Sequence, residues 1–471
     1  MMGYEAVMAR RDDIVRQSVG IDYGRYATGR LAFDYERLLT DTGYDLDAVR
    51  AIQARTAVGS TPLVELGNLT RLARRLAPQG KGARIFVKDE AANPSGSFKD
   101  RRASVSVHEA KQRGFPGVVA ATSGNYGAAV ASQAARLGLP CIIVQEAFDS
   151  AGIAQPEIAE KTRACEAYGA EVIRLSVGPE LFYEFLRVLE ETGYFNASLY
   201  TPYSILGIET LGDELARQAR ALTGRFPDAV VTTHAGGGNV TGTARGLQKA
   251  GATKTAMIAA SVDLSGLHMA SDRDFNRKSF TTGHTGFSIP FTTWPDRVDV
   301  PRSAARPLRY IDRFVTVTQG EVFYMTQALA ELEGLERGPA GNTSLAAAVA
   351  IAQELGEDQI LVVQETEYTG AGKHPIAQLN LALEMGVTVR RGHPRDNVPG
   401  KAIVLPEHPS QIGVTDVDLD RIRRSYLKNA AAALPGDQPV STTDLEFLAE
   451  ETRTNTSYVT EVLDEHHKPG G

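Results

Sequence analysis

Three short stretches combine residue types able to hold an anion or to react with a carbonyl compound. The first, Lys88-Asp89-Glu90-Ala91-Ala92-Asn93-Pro94-Ser95-Gly96-Ser97-Phe98-Lys99-Asp100-Arg101, directly follows the apolar run IFV at 85–87. Lys99 sits there among small residues at a strand-to-helix junction, and a lysine in such a place forms a Schiff base once burial draws its pKa toward neutrality. The second is Thr122-Ser123-Gly124-Asn125-Tyr126-Gly127. Its N–H groups and short polar side chains meet at the positive end of a helix dipole, which suits a carboxylate. The third, Gly236-Gly237-Gly238-Asn239-Val240-Thr241-Gly242-Thr243, lets successive backbone N–H groups turn toward one phosphate. No Gly-Lys-Ser/Thr follows it, and it does not open the first strand–helix unit, so P-loop and dinucleotide readings are disfavoured. Each stretch also has a plainer use: a surface lysine opening a helix, capping by Ser123 or Asn125, or a structural turn.

The elements around these stretches must hold them at one edge of a sheet. Unalternated apolar runs recur at IFV (85–87), GVVAA (117–121), CIIV (141–144), EVIRL (171–175), AVVTT (229–233) and ILVV (360–363). Amphipathic segments lie between them, at Tyr126–Leu137, Pro156–Tyr168, Pro179–Thr192 and Thr343–Leu355. Strands buried on both faces and joined by helices predict an α/β fold with a doubly wound, mainly parallel sheet, its ligand cleft outside the carboxyl ends of the strands. Residues 1–80 read as helices and loops, and 265–315 as a loop insertion. Two helical patterns, Asp416–Ala433 and Asp444–His466, close the chain, the second behind a Thr443-x-x-Glu446 capping box.

Composition narrows the class. The 471 residues carry Lys+Arg 50 against Asp+Glu 57, net −7, and 42% hydrophobic residues with a mean hydropathy of −0.20. This describes a soluble globular chain with no field for nucleic acid or anionic lipid. The helix-turn-helix-like segment 444–466 is acidic and would repel phosphates. No apolar run suits a membrane span or a signal peptide, and Cys141 and Cys165 have no CxxC or Cys/His neighbours, which predicts no metal site and a cytoplasmic protein.

Taken together, NPSGSFKDR, SGNYG and GGGN resemble the motifs of the fold-type II pyridoxal-phosphate enzymes, the superfamily of tryptophan synthase β, threonine synthase, threonine dehydratase and cysteine synthase. The resemblance covers about residues 55–395. It implies two doubly wound, mainly parallel sheet domains with the active site in the cleft between them. The expected division is 1–100 with 216–400 as the large cofactor domain and its N-terminal helical extension, 101–215 as a small mobile domain, and 401–471 as a C-terminal helical extension. The resemblance further implies that Lys99 carries pyridoxal 5'-phosphate with Phe98 beside it, that Asn125 binds the ring hydroxyl, and that Gly236, Gly237, Gly238 and Asn239 hold the phosphate. Thr122, Ser123 and Gly124, with Asn125 and Tyr126, would take the substrate carboxylate. A Ser or Thr after the last core strand usually meets the pyridine nitrogen; here Thr366 is the expected partner, with Glu365 competing.

The N-terminal stretch YEAVMARRDDIVRQSVGIDY and the later SVGPELFYEFLRVLEETGYFNASLYTPY look most like the β-subunit family of 2-amino-4-oxopentanoate thiolase, from ornithine degradation. That resemblance implies CoA as co-substrate, acetyl-CoA and alanine as products or the reverse condensation, a small α subunit, and a homodimeric core. Tyr126, Tyr203, His234 and Tyr368 are candidates to polarise the ketone, and Arg101, Arg102 and Lys373 to meet CoA phosphates. The shared motifs alone equally fit a threonine synthase-like or ammonia-lyase-type enzyme.

Overall fold

The computed structural model describes all residues except 1–2, 123, 150–151, 155, 179, 269–270, 275–276, 287–288, 369–373, 435–439 and 468–471. The strands begin with β1 (Leu63–Glu65), β2 (Arg84–Asp89), β3 (Val118–Thr122), β4 (Cys141–Phe148), β5 (Glu171–Ser176) and β6 (Phe195–Asn196). They continue with β7 (Ala229–Thr233), β8 (Ala256–Val262), β9 (Arg313–Val317), β10 (Ile360–Glu365), β11 (Thr388–Gly392), β12 (Ala402–Pro406) and β13 (Thr415–Asp416). The larger sheet has the order β1-β2-β10-β7-β8-β9-β13, parallel except at its two edge strands. The smaller, β5-β4-β3-β6, is wholly parallel.

Period-two geometry explains why the runs are apolar throughout. Ile85, Val87, Val231, Leu361 and Val363 enter one core with Leu345 and Val349 of the helix Pro339–Ala352. Their neighbours Phe86, Val230 and Val362 enter the opposite core with Ile208, Leu211 and Leu247. Both faces of β2, β7 and β10 are therefore dry, and burial at about 25 cal/mol per Å2 of apolar surface holds helices on each side. β5, expected to be buried on both faces, is instead an edge strand exposed or half-exposed along its length. The helices Pro202–Thr223 and Gly238–Lys249 approach through glycines: a Cβ on Gly212 would run into the Thr243 carbonyl, and one on Gly246 into that of Glu209.

Three further sequence expectations are corrected. The helices Tyr4–Ala9 and Arg11–Val19, expected to accompany the larger domain, put Val7, Ile14, Val15 and Val19 into the core of the smaller sheet with Phe185, Leu186 and Leu189, where Arg10 also pairs with Glu190 at 2.8 Å. Residues 401–471 are not solely helical: β12 pairs with β11 in a separate two-stranded sheet, and β13 extends the larger one. The expected Thr443 capping box is displaced by two residues. Ser441 caps the helix Thr442–Thr452, and Asp444 turns its carboxylate to the backbone N–H groups of Leu31 and Ala32, 2.8 Å from each. Among the described residues no helix is long and apolar enough to cross a membrane.

Candidate active site

Loops at the carboxyl ends of β2, β3, β7, β8 and β10 enclose a cavity of about 940 Å3, measured out to its open mouth. Phe98, Lys99, Asn125, Gly236 to Asn239 and Thr366 all border it. Lys99 opens the helix Lys99–Gln112, and the loop before it is stapled to the segment after β10. The Phe98 N–H donates to the Thr366 carbonyl at 3.1 Å, and the Tyr368 N–H donates to the Gly96 carbonyl at 2.7 Å. The Lys99 ammonium lies 4.4 Å from the centre of the Phe98 ring. Burial, with help from the Arg102 charge, pushes its pKa well below the ordinary lysine range, while Glu367 acts in the opposite direction.

A buried ionic network fixes the loop from behind. Arg101 grips Glu90 through two contacts, at 2.7 and 2.8 Å, and reaches Glu214 at 3.3 Å. Lys88 meets the same Glu214 at 2.5 Å and the Thr61 carbonyl at 2.6 Å. Although burial alone would raise the Glu214 pKa, Arg101 and Lys88 hold it down at about 2. Removing one partner from such a cluster strands a buried charge, at a cost of roughly 3–5 kcal/mol.

The glycine loop has the form of an anion cradle. Gly237 is left-handed (φ 81°), and the helix that follows presents its first-turn N–H groups, which have no intrahelical partner, at the cavity. No side chain could be added here: a Cβ would meet the Tyr200 hydroxyl at Gly236, the Pro307 ring at Gly237 and the Arg102 guanidinium at Gly238. Arg102 is anchored by its Nε donating to Ser204 at 2.9 Å and by a contact to the Leu199 carbonyl. Two polar atoms nearby, Asn125 Oδ1 and Asn239 Nδ2, are buried without a partner. A desolvated lysine, a bare-backbone anion cradle backed by a cation, and amide atoms left unsatisfied fit a phosphorylated aromatic aldehyde such as pyridoxal 5'-phosphate.

The other expected residues divide sharply. Glu365 does not border the cavity: its carboxyl lies against Gly341 with neither oxygen partnered, and burial followed by Glu367 pushes its pKa well up. Thr366 does border it. Tyr126 is corrected as a substrate contact, because its ring is buried and its hydroxyl donates to the Ala197 carbonyl at 2.7 Å. Thr122 also stands behind the cavity, its hydroxyl accepting from the Gly124 N–H at 3.1 Å. Among the ketone-polarising candidates, Tyr203 is buried against Arg113 and Tyr368 is half exposed outside the cavity, leaving His234 at its wall. His234 Nε2 lies 2.7 Å from the Thr292 hydroxyl, Nδ1 is buried without a partner, and burial lowers its pKa to about 4. Arg101 is consumed by its network and Arg102 by the glycine loop; Ser123 and Lys373 lie outside the described residues.

The site also contains residues that sequence reasoning missed. Glu367 accepts from the Asn125 amide and so aims the asparagine. Tyr200 closes the floor under Gly236, its ring 3.7 Å from the Arg297 guanidinium. On the cavity wall, Glu157 pairs with Lys278 from the segment 265–315, and His284 borders the same cavity. Glu367 was within reach, in the polar run after the last strand, but Tyr200 and Lys278 carry no local signal.

A family model described as pyridoxal-phosphate dependent enzyme matches residues 54–365. The chain belongs to the pyridoxal-phosphate dependent enzymes. Within that family, it is 64% identical over 460 residues to a 2-amino-4-ketopentanoate thiolase beta subunit from an unknown prokaryotic organism, covering 98% of this chain and 97% of the relative. It is 61% identical over 464 residues to the protein of the same name from Acetoanaerobium sticklandii, covering 98% of each. Among solved structures, a threonine deaminase from T.th. superposes with a TM-score of 0.52 at 27% identity, over 69% of this chain and 98% of that one. The pyridoxal-phosphate dependent fold therefore accounts for both sheets and for the cleft at their carboxyl ends.

Proposed function

We propose that this chain is the cofactor-bearing subunit of a thiolase that converts 2-amino-4-oxopentanoate and CoA into acetyl-CoA and alanine, and that it also catalyses the reverse condensation. The observation that carries this reading is the 64% identity extending over 97% of a thiolase beta subunit, far beyond the shared cofactor motifs. The net change moves one proton from the thiol to the substrate methylene. A sulfur–carbon bond forms at the ketone while the bond between that ketone and the methylene breaks.

When bound, the cofactor would supply an electron sink for charge at the amine-bearing carbon and, through it, for the charge left on the methylene as its bond to the ketone breaks. Lys99, held neutral more readily than an ordinary lysine, would take the proton from the amine-bearing carbon and return it there after the cleavage, while the methylene gains the proton given up by the thiol. The N–H groups of Gly236 to Asn239 and the Arg102 charge would hold the phosphate, and Asn125, aimed by Glu367, would hold the ring hydroxyl. Thr366 would meet the ring nitrogen, and the substrate carboxylate would lie against the first-turn N–H groups of the helix that opens at Asn125. Neutral His234 at the wall polarises the ketone, so the thiol attacks a carbonyl already drawn toward a donor.

The same reading assigns a smaller companion subunit, a homodimeric core and a cytoplasmic location, the last in keeping with Cys141 and Cys165 as buried free thiols. Incubating the purified chain with pyridoxal phosphate, a companion subunit, CoA and 2-amino-4-oxopentanoate should release acetyl-CoA and alanine in equal amounts. Release of ammonia or phosphate from an amino acid without any need for CoA would overturn it in favour of an elimination enzyme.

A further inference from the structure

The helix Pro375–Glu384, PIAQLNLALE, is apolar on both sides. Its inner face, with Ala382 buried and Leu379 and Leu381 partly so, packs into a core with Phe280, Phe323, Val387 and Ile403. Its outer face carries Ile376, 64% exposed, and Leu383, 53% exposed; seven residues apart, they stand on the same side. Met385, at the helix C-cap, is exposed as well. Asn380 interrupts this outer stripe and Glu384 ends it, but two large aliphatic side chains more than half exposed on one face of a ten-residue helix form a surface that a partner would cover.

The surroundings indicate what encloses it. The helix packs against β11, and over residues 384–401 four cations, Arg390, Arg391, Arg395 and Lys401, stand against two acids, Glu384 and Asp396. All four are exposed, in a chain whose net charge is −7. This local reversal of charge beside a bare apolar stripe suits a partner that presents apolar side chains within an acidic rim, and works against pairing of this face with a second, identical basic copy. The location also matters. Gln378, on the inner face, donates to Glu157 at 3.4 Å, and Glu157 borders the active-site cavity. A partner on the outer face thus stands about one helix diameter, roughly 10 Å, from the buried Glu157 wall of the cavity.

Taking the two-subunit reading above as given, we propose that the Ile376–Leu383 face, with the basic strand β11 as its rim, is the docking surface for the smaller, acidic-rimmed companion subunit. The probe is the alpha subunit that accompanies the Acetoanaerobium sticklandii relative, titrated into the pyridoxal-phosphate-loaded chain, with complex mass and Kd measured. Binding should weaken as salt rises. The double variant Ile376→Glu/Leu383→Glu should bind at least about tenfold more weakly while keeping its cofactor absorbance. Leu222→Glu, at an exposed leucine elsewhere, should bind like the parent. Parent-like affinity in the double variant would overturn the location while leaving the two-subunit reading intact. No binding by the parent chain would overturn both. If the double variant instead loses self-association and keeps the alpha subunit, the face belongs to a second copy and the proposal fails.

Discussion

Lys99 owes its chemistry to its surroundings. Enclosure lowers its proton affinity, Arg102 lowers it further, and Glu367 partly restores it. Lys99→Ala should leave no borohydride-fixed cofactor adduct and reduce turnover at least about a thousandfold, read as acetyl-CoA release. Glu367→Gln removes the carboxylate that raises the lysine pKa, so the acid limb of the kcat profile, which reports the amine freed once substrate is bound, should move to lower pH. His234 gives a second pH signature. Its folded pKa near 4 lies below the unfolded value near 6.5, so the unfolded chain binds the extra proton and stability is lost as pH falls from about 6.5 toward 4. His234→Gln should lessen the stability difference between pH 7 and pH 5 by about 2 kcal/mol, measured by denaturant unfolding. At this scale, sequence reading brought together residues that border one cavity where each belongs to one contiguous stretch: Lys99, Asn125 and the three glycines. It misassigned Tyr126 because the alternation of inward and outward positions at a helix N-terminus depends on what the helix packs against.

At the scale of elements, the glycines of the helix pair Pro202–Thr223 and Gly238–Lys249 set how near the glycine loop lies to the rest of the site. Gly246→Ala would push a methyl into the Glu209 carbonyl and to within 2.8 Å of the Asp213 nitrogen. Such overpacking costs about 1–3 kcal/mol and should lower Tm by a few degrees in a melting scan. Gly413→Ala, where an added Cβ meets nothing within 4 Å, should be close to neutral. β2, β3, β4, β7 and β10 were legible because burial on both faces leaves an unbroken apolar run; central β8 was passed over, its alanines and serine giving a run of small residues rather than of large branched ones. β9, β11 and β12 were not, since they lie near segments rich in Arg, Pro and Asp whose pairing is set by neighbours distant in sequence. The N-terminal helices were recognisable as helices, but nothing in their own periodicity says which of two apolar cores receives them.

For the whole molecule, the two sheets supply different halves of one site. β3 and its loop bring Asn125, and the larger sheet brings Lys99, the glycine loop and Thr366. The terminal helices join them, through Asp444 on the backbone of Leu31 and Ala32 and through Arg306 on Glu451. Asp444→Ala would leave two N–H groups without their acceptor and should cost about 1–3 kcal/mol in chemical denaturation. The backbone rungs that join Gly96 and Phe98 to Thr366 and Tyr368 also have a bearing on biosynthesis. A ribosome exposes Thr366 only after most of the chain has been made, so the loop that presents Lys99 stays open at one side throughout that time. Capture of the cofactor is then a late event in the life of the new polypeptide, and chains that stall before β10 would leave the ribosome colourless.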